Sequence, residues 1–159
     1  MIENISIVQA IQLMLAPGIM ISACGLLLLG MNNKYSLIVN RIRLLNEERR
    51  KLFKGTNDKE FDYNENIRIE SVSLQLSALD FRVKLVRNAV LSYTVAVAFF
   101  VLTSLFIGVQ YFEVLTNINH LITIIFLAGM ILVLIGVTFA AYESIKGYEI
   151  IHLEVGIDE

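Results

Sequence analysis

Ala16–Arg43, APGIMISACGLLLLGMNNKYSLIVNRIR, begins with apolar residues suited to lipid and ends with basic residues suited to water. Asn32, Asn33 and Ser36 lie between the two parts, and no Gly-Pro break follows the asparagines. The segment therefore predicts one helix that leaves a bilayer and continues into the aqueous phase.

The composition indicates an integral membrane protein. Of the 159 residues, 56% are hydrophobic, whereas a soluble domain is nearer about 45–50% apolar. Three long uncharged runs account for the excess, and each can cross a hydrocarbon core, which takes about 20 helical residues. The length suits one domain. We therefore expect a single all-α membrane domain over residues 1–159, with three transmembrane helices.

The first span is predicted over residues 5–31, with a kink at Pro17, because proline removes a backbone donor inside a helix. Gly18–Met31 alone gives only about 21 Å of helix. Part of residues 2–15 must therefore enter the membrane or lie along its interface, and both arrangements stay open. The later parts of the chain are a second span at 89–109, a third at 121–142 and a tail at 143–159.

Residues 35–88 are predicted to form a helical hairpin that extends the first two spans out of the membrane. Its two helical segments flank the turn cluster at residues 55–58, Gly-Thr-Asn-Asp. The partner of the second segment could be the first segment or a neighbouring subunit. The second segment carries the a/d seam of a coiled coil, formed by Ile69, Val72, Leu76, Leu79, Val83 and Val86.

The lysines and arginines indicate the orientation. Twelve of the thirteen lie between the first and second spans, and Lys146 follows the third. Because basic loops stay on the cytoplasmic side, we expect the hairpin and the C-terminus in the cytoplasm. The N-terminus would then lie outside a cell (inner) membrane.

Small or polar residues follow steps of four and three along one face of the first span. In lipid, small residues let helix backbones approach closely, so one interpretation is a tight helix–helix contact. The other is a helix that faces an aqueous pore. This small-residue stripe consists of Gly18, Ser22, Gly25, Leu29, Asn32 and Ser36. The third span has a similar set suited to close packing, Gly129, Val133, Gly136 and Ala140.

The residue patterns do not point to an enzyme, a metal site or a cofactor. His120 and His152 lie on opposite sides of the membrane in this topology, and no phosphate loop or HExxH motif is present. Glu143, the acid nearest the membrane, is expected to pair with Lys146. A basic cluster could attract anionic headgroups, while the acids beside it argue against nucleic acid. Its members are Arg41, Arg43, Arg49, Arg50 and Lys51.

Over Leu15–Arg50 the chain resembles the prokaryotic domain-of-unknown-function 2721 family. The resemblance rests on the Pro-containing first span, the GLLLL segment, the NNKY residues and the RIRLLNE start of the cytoplasmic helix. Many members carry an acid just before RIR, where this chain has Asn40. The resemblance implies a three-span layout and leaves the activity open.

The preferred functional hypothesis is a homo-oligomeric ion channel whose first helices surround a central axis. Three helices cannot enclose a hydrated path alone, so a channel requires several subunits. The alternative is a membrane-anchored scaffold or signalling adaptor whose hairpin recruits a cytosolic partner. The spans carry no acid or histidine near their middle, which argues against a secondary transporter.

Overall fold

Three long α-helices account for nearly all residues that the computed structural model describes, which are 7–55, 63–111 and 118–155. They are α1 (Ile7–Gly55), α2 (Tyr63–Tyr111) and α3 (Asn119–Val155). Each contains a stretch long and apolar enough to cross a membrane. The prediction of an all-helical chain with three helices that could span a membrane is therefore confirmed.

The single helix predicted over Ala16–Arg43 is also confirmed, because α1 continues through Pro17 and through both asparagines. Its 49 residues correspond to about 74 Å of helix. A kink at Pro17 stays a prediction. Most of the turn cluster predicted at residues 55–58 lies outside the described residues, and Gly55 is the last residue of α1.

The described residues divide into two units, and each helix contributes to both. The first unit contains the described residues of Met1–Met31 and Asn88–Thr138, and the second contains those of Asn32–Arg87 and Phe139–Glu159. In the first unit, Cys24 of α1 packs against Ala96 and Phe100 of α2, and all three are fully buried.

Close packing of glycines in α3 against aromatic rings of α2 shapes the first unit. A Cβ added to Gly129 would lie 2.9 Å from Cε1 of Phe100, and one added to Gly136 would lie 2.6 Å from Cε1 of Tyr93. The close packing predicted for the third span is therefore confirmed at these two glycines. Only a residue without a side chain lets the α3 backbone approach the rings so closely.

Burial recurs every seven residues along α1 and α2. A period of seven is that of helices packed knobs-into-holes. On α1 the buried residues at this spacing are Pro17, Cys24, Met31, Ile38 and Leu45. On α2 they are Val72, Leu79, Val86, Tyr93 and Phe100. Half of the predicted seam is thus buried, and Ile69, Leu76 and Val83 are half-buried. The coiled coil itself stays a prediction.

Candidate functional site

A buried carboxylate between two cations is the main polar feature of the second unit. Glu143 of α3 is fully buried. Its Oε2 accepts a hydrogen bond from Lys34 Nζ of α1 at 2.8 Å. Its Oε1 accepts two from Arg82 of α2, at 2.7 Å from Nη2 and 3.1 Å from Nε. We call these three residues the ion triad, and through it each helix contributes one charge to the same place.

The pairing of charges in the ion triad explains how a carboxylate can lie inside the second unit. Burying an unpaired charge is costly, and the cost is offset only where partners and hydrogen bonds satisfy the group. Both oxygens of Glu143 accept charge-assisted hydrogen bonds, which are the stronger kind. The Lys34 side chain is 43% exposed and the Arg82 side chain 20%. The acid is therefore internal, while both cations reach the surface.

The predicted partner of Glu143 was Lys146, one turn away on the same helix. The structure instead gives Glu143 partners on the two other helices, 109 and 61 residues away in sequence. A pair within one exposed helix contributes only about 0.2–0.5 kcal/mol. A buried carboxylate needs more than that, and the cations of α1 and α2 provide it.

Residues next to Glu143 on α3 fit the groups around the ion triad. Ser144 Oγ accepts a second hydrogen bond from Lys34 Nζ at 2.7 Å. A Cβ added to Gly147 would lie 2.8 Å from Nη2 of Arg82, so glycine leaves space for the guanidinium. Tyr142 contacts Phe81 edge to face, with ring centroids 6.4 Å apart. Sequence reasoning missed this site, and its only local signal was a glycine four residues after an acid.

The small-residue stripe lies on the outer face of α1. All six of its residues are exposed. A Cβ added to Gly18 or Gly25 would have no other atom of the described chain within 4 Å beyond its own helix backbone and immediate neighbours. The helix contact or pore predicted for the stripe must therefore involve lipid, water or another subunit. Both interpretations stay predictions.

All five residues of the basic cluster are exposed. Near them, Arg68 of α2 donates two hydrogen bonds to Glu48 Oε1 of α1, at 2.6 Å from Nη2 and 2.8 Å from Nε. This contact joins the two segments predicted to form the hairpin. Because both side chains are exposed to more than a third, the pair contributes no more than about 1 kcal/mol.

Metal-binding side chains do not cluster in the part of the chain that the structure describes. Within those ranges no three His, Cys, Asp or Glu residues lie close enough to hold an ion. Cys24 is a free thiol buried in the first unit.

Comparison with known proteins gives a family and no activity. The model of the family described as Protein of unknown function (DUF2721) matches residues 14–153. No curated protein and no solved structure matches the chain. The match extends the resemblance seen over Leu15–Arg50 to most of the sequence, including all three residues of the ion triad.

Proposed function

The chain belongs to the family described as Protein of unknown function (DUF2721), and on that premise we propose that it is a subunit of a homo-oligomeric ion channel. The observation that carries this proposal is the exposure of the whole small-residue stripe on α1. Small residues in lipid-exposed helices are typical of surfaces where helices associate. A second copy of the chain would cover such a surface with the same residues.

The packing of the first unit supports a path between subunits. Phe100 and Tyr93 are buried against the glycines of α3, so a route between α2 and α3 would require both rings to move. The small-residue stripe has no such obstruction within its own chain. We therefore place the conducting path along α1, at the axis of the oligomer.

The spacing of the small-residue stripe suits that axis. Gly18, Gly25 and Asn32 are seven residues apart, and the stripe's other three members repeat with the same period. This is the a/d pattern by which parallel helices pack around an axis. Asn32 supplies an exposed amide towards the inner end of the stripe. The stripe has no charged member, so conduction would rest on polar side chains and backbone.

We further propose that residues 35–88 lie in the cytoplasm and form a helical hairpin of the coiled-coil type. The distribution of lysine and arginine supports this orientation. Burial of Val72, Leu79 and Val86 at heptad spacing, together with the Arg68–Glu48 pair, supports the hairpin. We propose no enzymatic role, since the residue patterns of the sequence do not point to an enzyme.

Ion flux through purified protein in liposomes tests the channel. Gly25→Leu should lower the flux about tenfold or more, because about 1.4 kcal/mol of lost subunit packing weakens association tenfold. The variant should also shift the protein towards monomer in native mass measurements. Gly30→Leu is the matched control, since Gly30 is exposed on α1 outside the stripe and has equally open surroundings.

Two results would contradict the channel. One is the absence of flux through the wild type in any common salt. The other is a wild-type monomer, because three helices cannot enclose a hydrated path. If Gly30→Leu lowers the flux as much as Gly25→Leu does, the small-residue stripe does not face the axis of the oligomer.

The alternative function is a membrane-anchored scaffold, which an exposed apolar row on α2 favours. Ile67, Leu74 and Phe81 are seven residues apart in the second unit and are 50%, 65% and 45% exposed. Single exposed apolar residues are common on proteins, but a row at heptad spacing suits a partner helix.

The scaffold predicts that Leu74→Glu in the full-length chain removes binding of a cytosolic partner. Ser73→Glu is its control, because Ser73 is an exposed neighbour outside the row. Partner binding should persist in the control, and neither variant should alter liposome flux. Two results together would exclude the scaffold in favour of the channel. The wild type would conduct ions, and Leu74→Glu would leave partner binding unchanged.

A further inference from the structure

The three members of the ion triad together carry one excess positive charge. Lys34 and Arg82 together bring two charges, and Glu143 brings one of opposite sign. Lys34 Nζ has three N–H donors, and it donates to two acceptors, Glu143 and Ser144. Arg82 donates to Glu143 through Nε and Nη2, two of the three nitrogens that carry its five N–H donors. Both cations therefore keep donors for an external anion.

The sequence places the ion triad at the depth of lipid headgroups. The uncharged residues 121–142 of α3 end directly before Glu143. Their 22 residues give about 33 Å of helix, close to the hydrocarbon thickness of about 30 Å. On α1, Lys34 is the first charged residue after the apolar segment. Two helices thus reach their first charge at the same place, where the triad joins them.

The surface around the ion triad has the composition of a membrane boundary. Tyr35 and Tyr142, the neighbours of Lys34 and Glu143, are both exposed. Tyrosine is enriched at membrane–water interfaces, where its ring lies at headgroup level. Leu37 and Ile145 are 69% and 59% exposed in the same unit. Such a surface suits contact with phospholipid better than contact with water alone.

We propose that the ion triad is a binding site for the phosphate of an anionic phospholipid. Lys34, the more exposed cation, donates its remaining N–H to the phosphate. Arg82, whose side chain is 20% exposed, adds a second positive charge nearby. The lipid neutralises the excess charge that Glu143 leaves. This site is separate from the conducting path proposed above and does not depend on it.

Retention of phosphatidylglycerol by the full-length protein in phosphatidylcholine nanodiscs tests the proposal. Lys34→Gln should reduce the bound phosphatidylglycerol about fivefold, because one lysine near the surface contributes about 1 kcal/mol to anionic lipid binding. Lys34→Arg should retain it. Because the Arg82–Glu143 pair remains in both variants, circular dichroism should show the same helix content.

Arg50→Gln is the matched control for charge. Arg50 is exposed on α1, and 16 residues of helix separate it from Lys34, which is about 24 Å and well beyond the screening length of about 8–10 Å. Its substitution should leave lipid retention unchanged. If Arg50→Gln and Lys34→Gln lose the same amount of bound phosphatidylglycerol, the lipid is attracted by overall positive charge and the site is overturned. If Lys34→Gln binds as much phosphatidylglycerol as the wild type, the site is also overturned.

Inorganic phosphate in solution carries the same charged group as a phospholipid and is the alternative ligand of the ion triad. Inorganic phosphate added to wild-type protein in pure phosphatidylcholine nanodiscs should not bind detectably in native mass spectra, and an excess should not displace phosphatidylglycerol. Displacement would overturn the assignment to lipid and indicate a soluble phosphate ligand.

Discussion

Glu143→Ala is expected to lower the free energy of unfolding by about 3–5 kcal/mol, the usual effect of removing one partner from a buried ion pair. The variant leaves Arg82, whose side chain is four-fifths covered, without its carboxylate. It also leaves Lys34 beside a second uncompensated cation. Repulsion between the two cations and the loss of the hydrogen bonds to Glu143 both lower the free energy of unfolding.

Thermal loss of helix, followed by circular dichroism in a mild detergent, measures this effect. Arg68→Ala is the control, because it breaks an exposed pair between the same two helices that flank Glu143, and we expect no more than about 1 kcal/mol. A Glu143→Ala variant as stable as Arg68→Ala would show that burial of the carboxylate does not matter for stability.

A triple variant separates uncompensated charge from lost packing. In Lys34→Met, Arg82→Leu, Glu143→Leu, all three charges disappear together. Replacing a whole buried ion cluster by apolar residues of similar size is often neutral or stabilising by about 1–4 kcal/mol. We therefore expect the triple variant to recover most of the stability lost in Glu143→Ala. A triple variant less stable than the single one would mean that shape, not charge, dominates at this site.

The helices could be predicted from the sequence because their signals are local. Uncharged runs of about 20 residues mark the spans, and α1 continues through Asn32–Asn33 because no helix breaker follows them. On α2, the seam through Val72, Leu79 and Val86 stood out because charged residues surround it. In water, the contrast between apolar and charged positions identifies the inner face of a helix.

The packing inside the spans could not be predicted in the same way. Lipid is as apolar as a protein core, so hydrophobicity does not distinguish the inner face of α1 from its outer face. Pro17, Cys24 and Met31 are the buried residues, yet they differ in size and chemistry. The sequence pattern instead indicated the small-residue stripe as a packing face, and all of its residues are exposed on the outer face of α1. The ion triad was missed because its three members are far apart in sequence.

Gly136→Ala is expected to destabilise the first unit by about 1–3 kcal/mol, the range for an extra methyl group in a well-packed core. The new Cβ would lie 2.6 Å from Cε1 and 2.9 Å from Cδ1 of Tyr93. Only 1% of Tyr93 is exposed, so its ring cannot turn aside into lipid. Either α3 must move away from α2 or the ring must leave its rotamer.

Reactivity of the Cys24 thiol towards a maleimide measures this change within the same unit. Cys24 is fully buried against Ala96 and Phe100, so the thiol should react only when the unit opens. In Gly136→Ala, labelling should begin at a lower temperature than in the wild type. Ser73→Cys provides an exposed thiol outside the predicted spans, and it should react at all temperatures.

Gly30→Ala is the control for Gly136→Ala, because it adds the same methyl group to a helical glycine that has no close neighbour. Alanine is favoured over glycine in a helix by about 1 kcal/mol, and Gly30 has open space where the Cβ would lie. Gly30→Ala should therefore be neutral or stabilising, while Gly136→Ala is destabilising despite the same gain in helix propensity. Adding Tyr93→Leu to Gly136→Ala should restore part of the stability, because the smaller side chain removes the clash. If Gly136→Ala is as stable as Gly30→Ala, the close approach of α3 to the ring of Tyr93 does not exist in the folded protein.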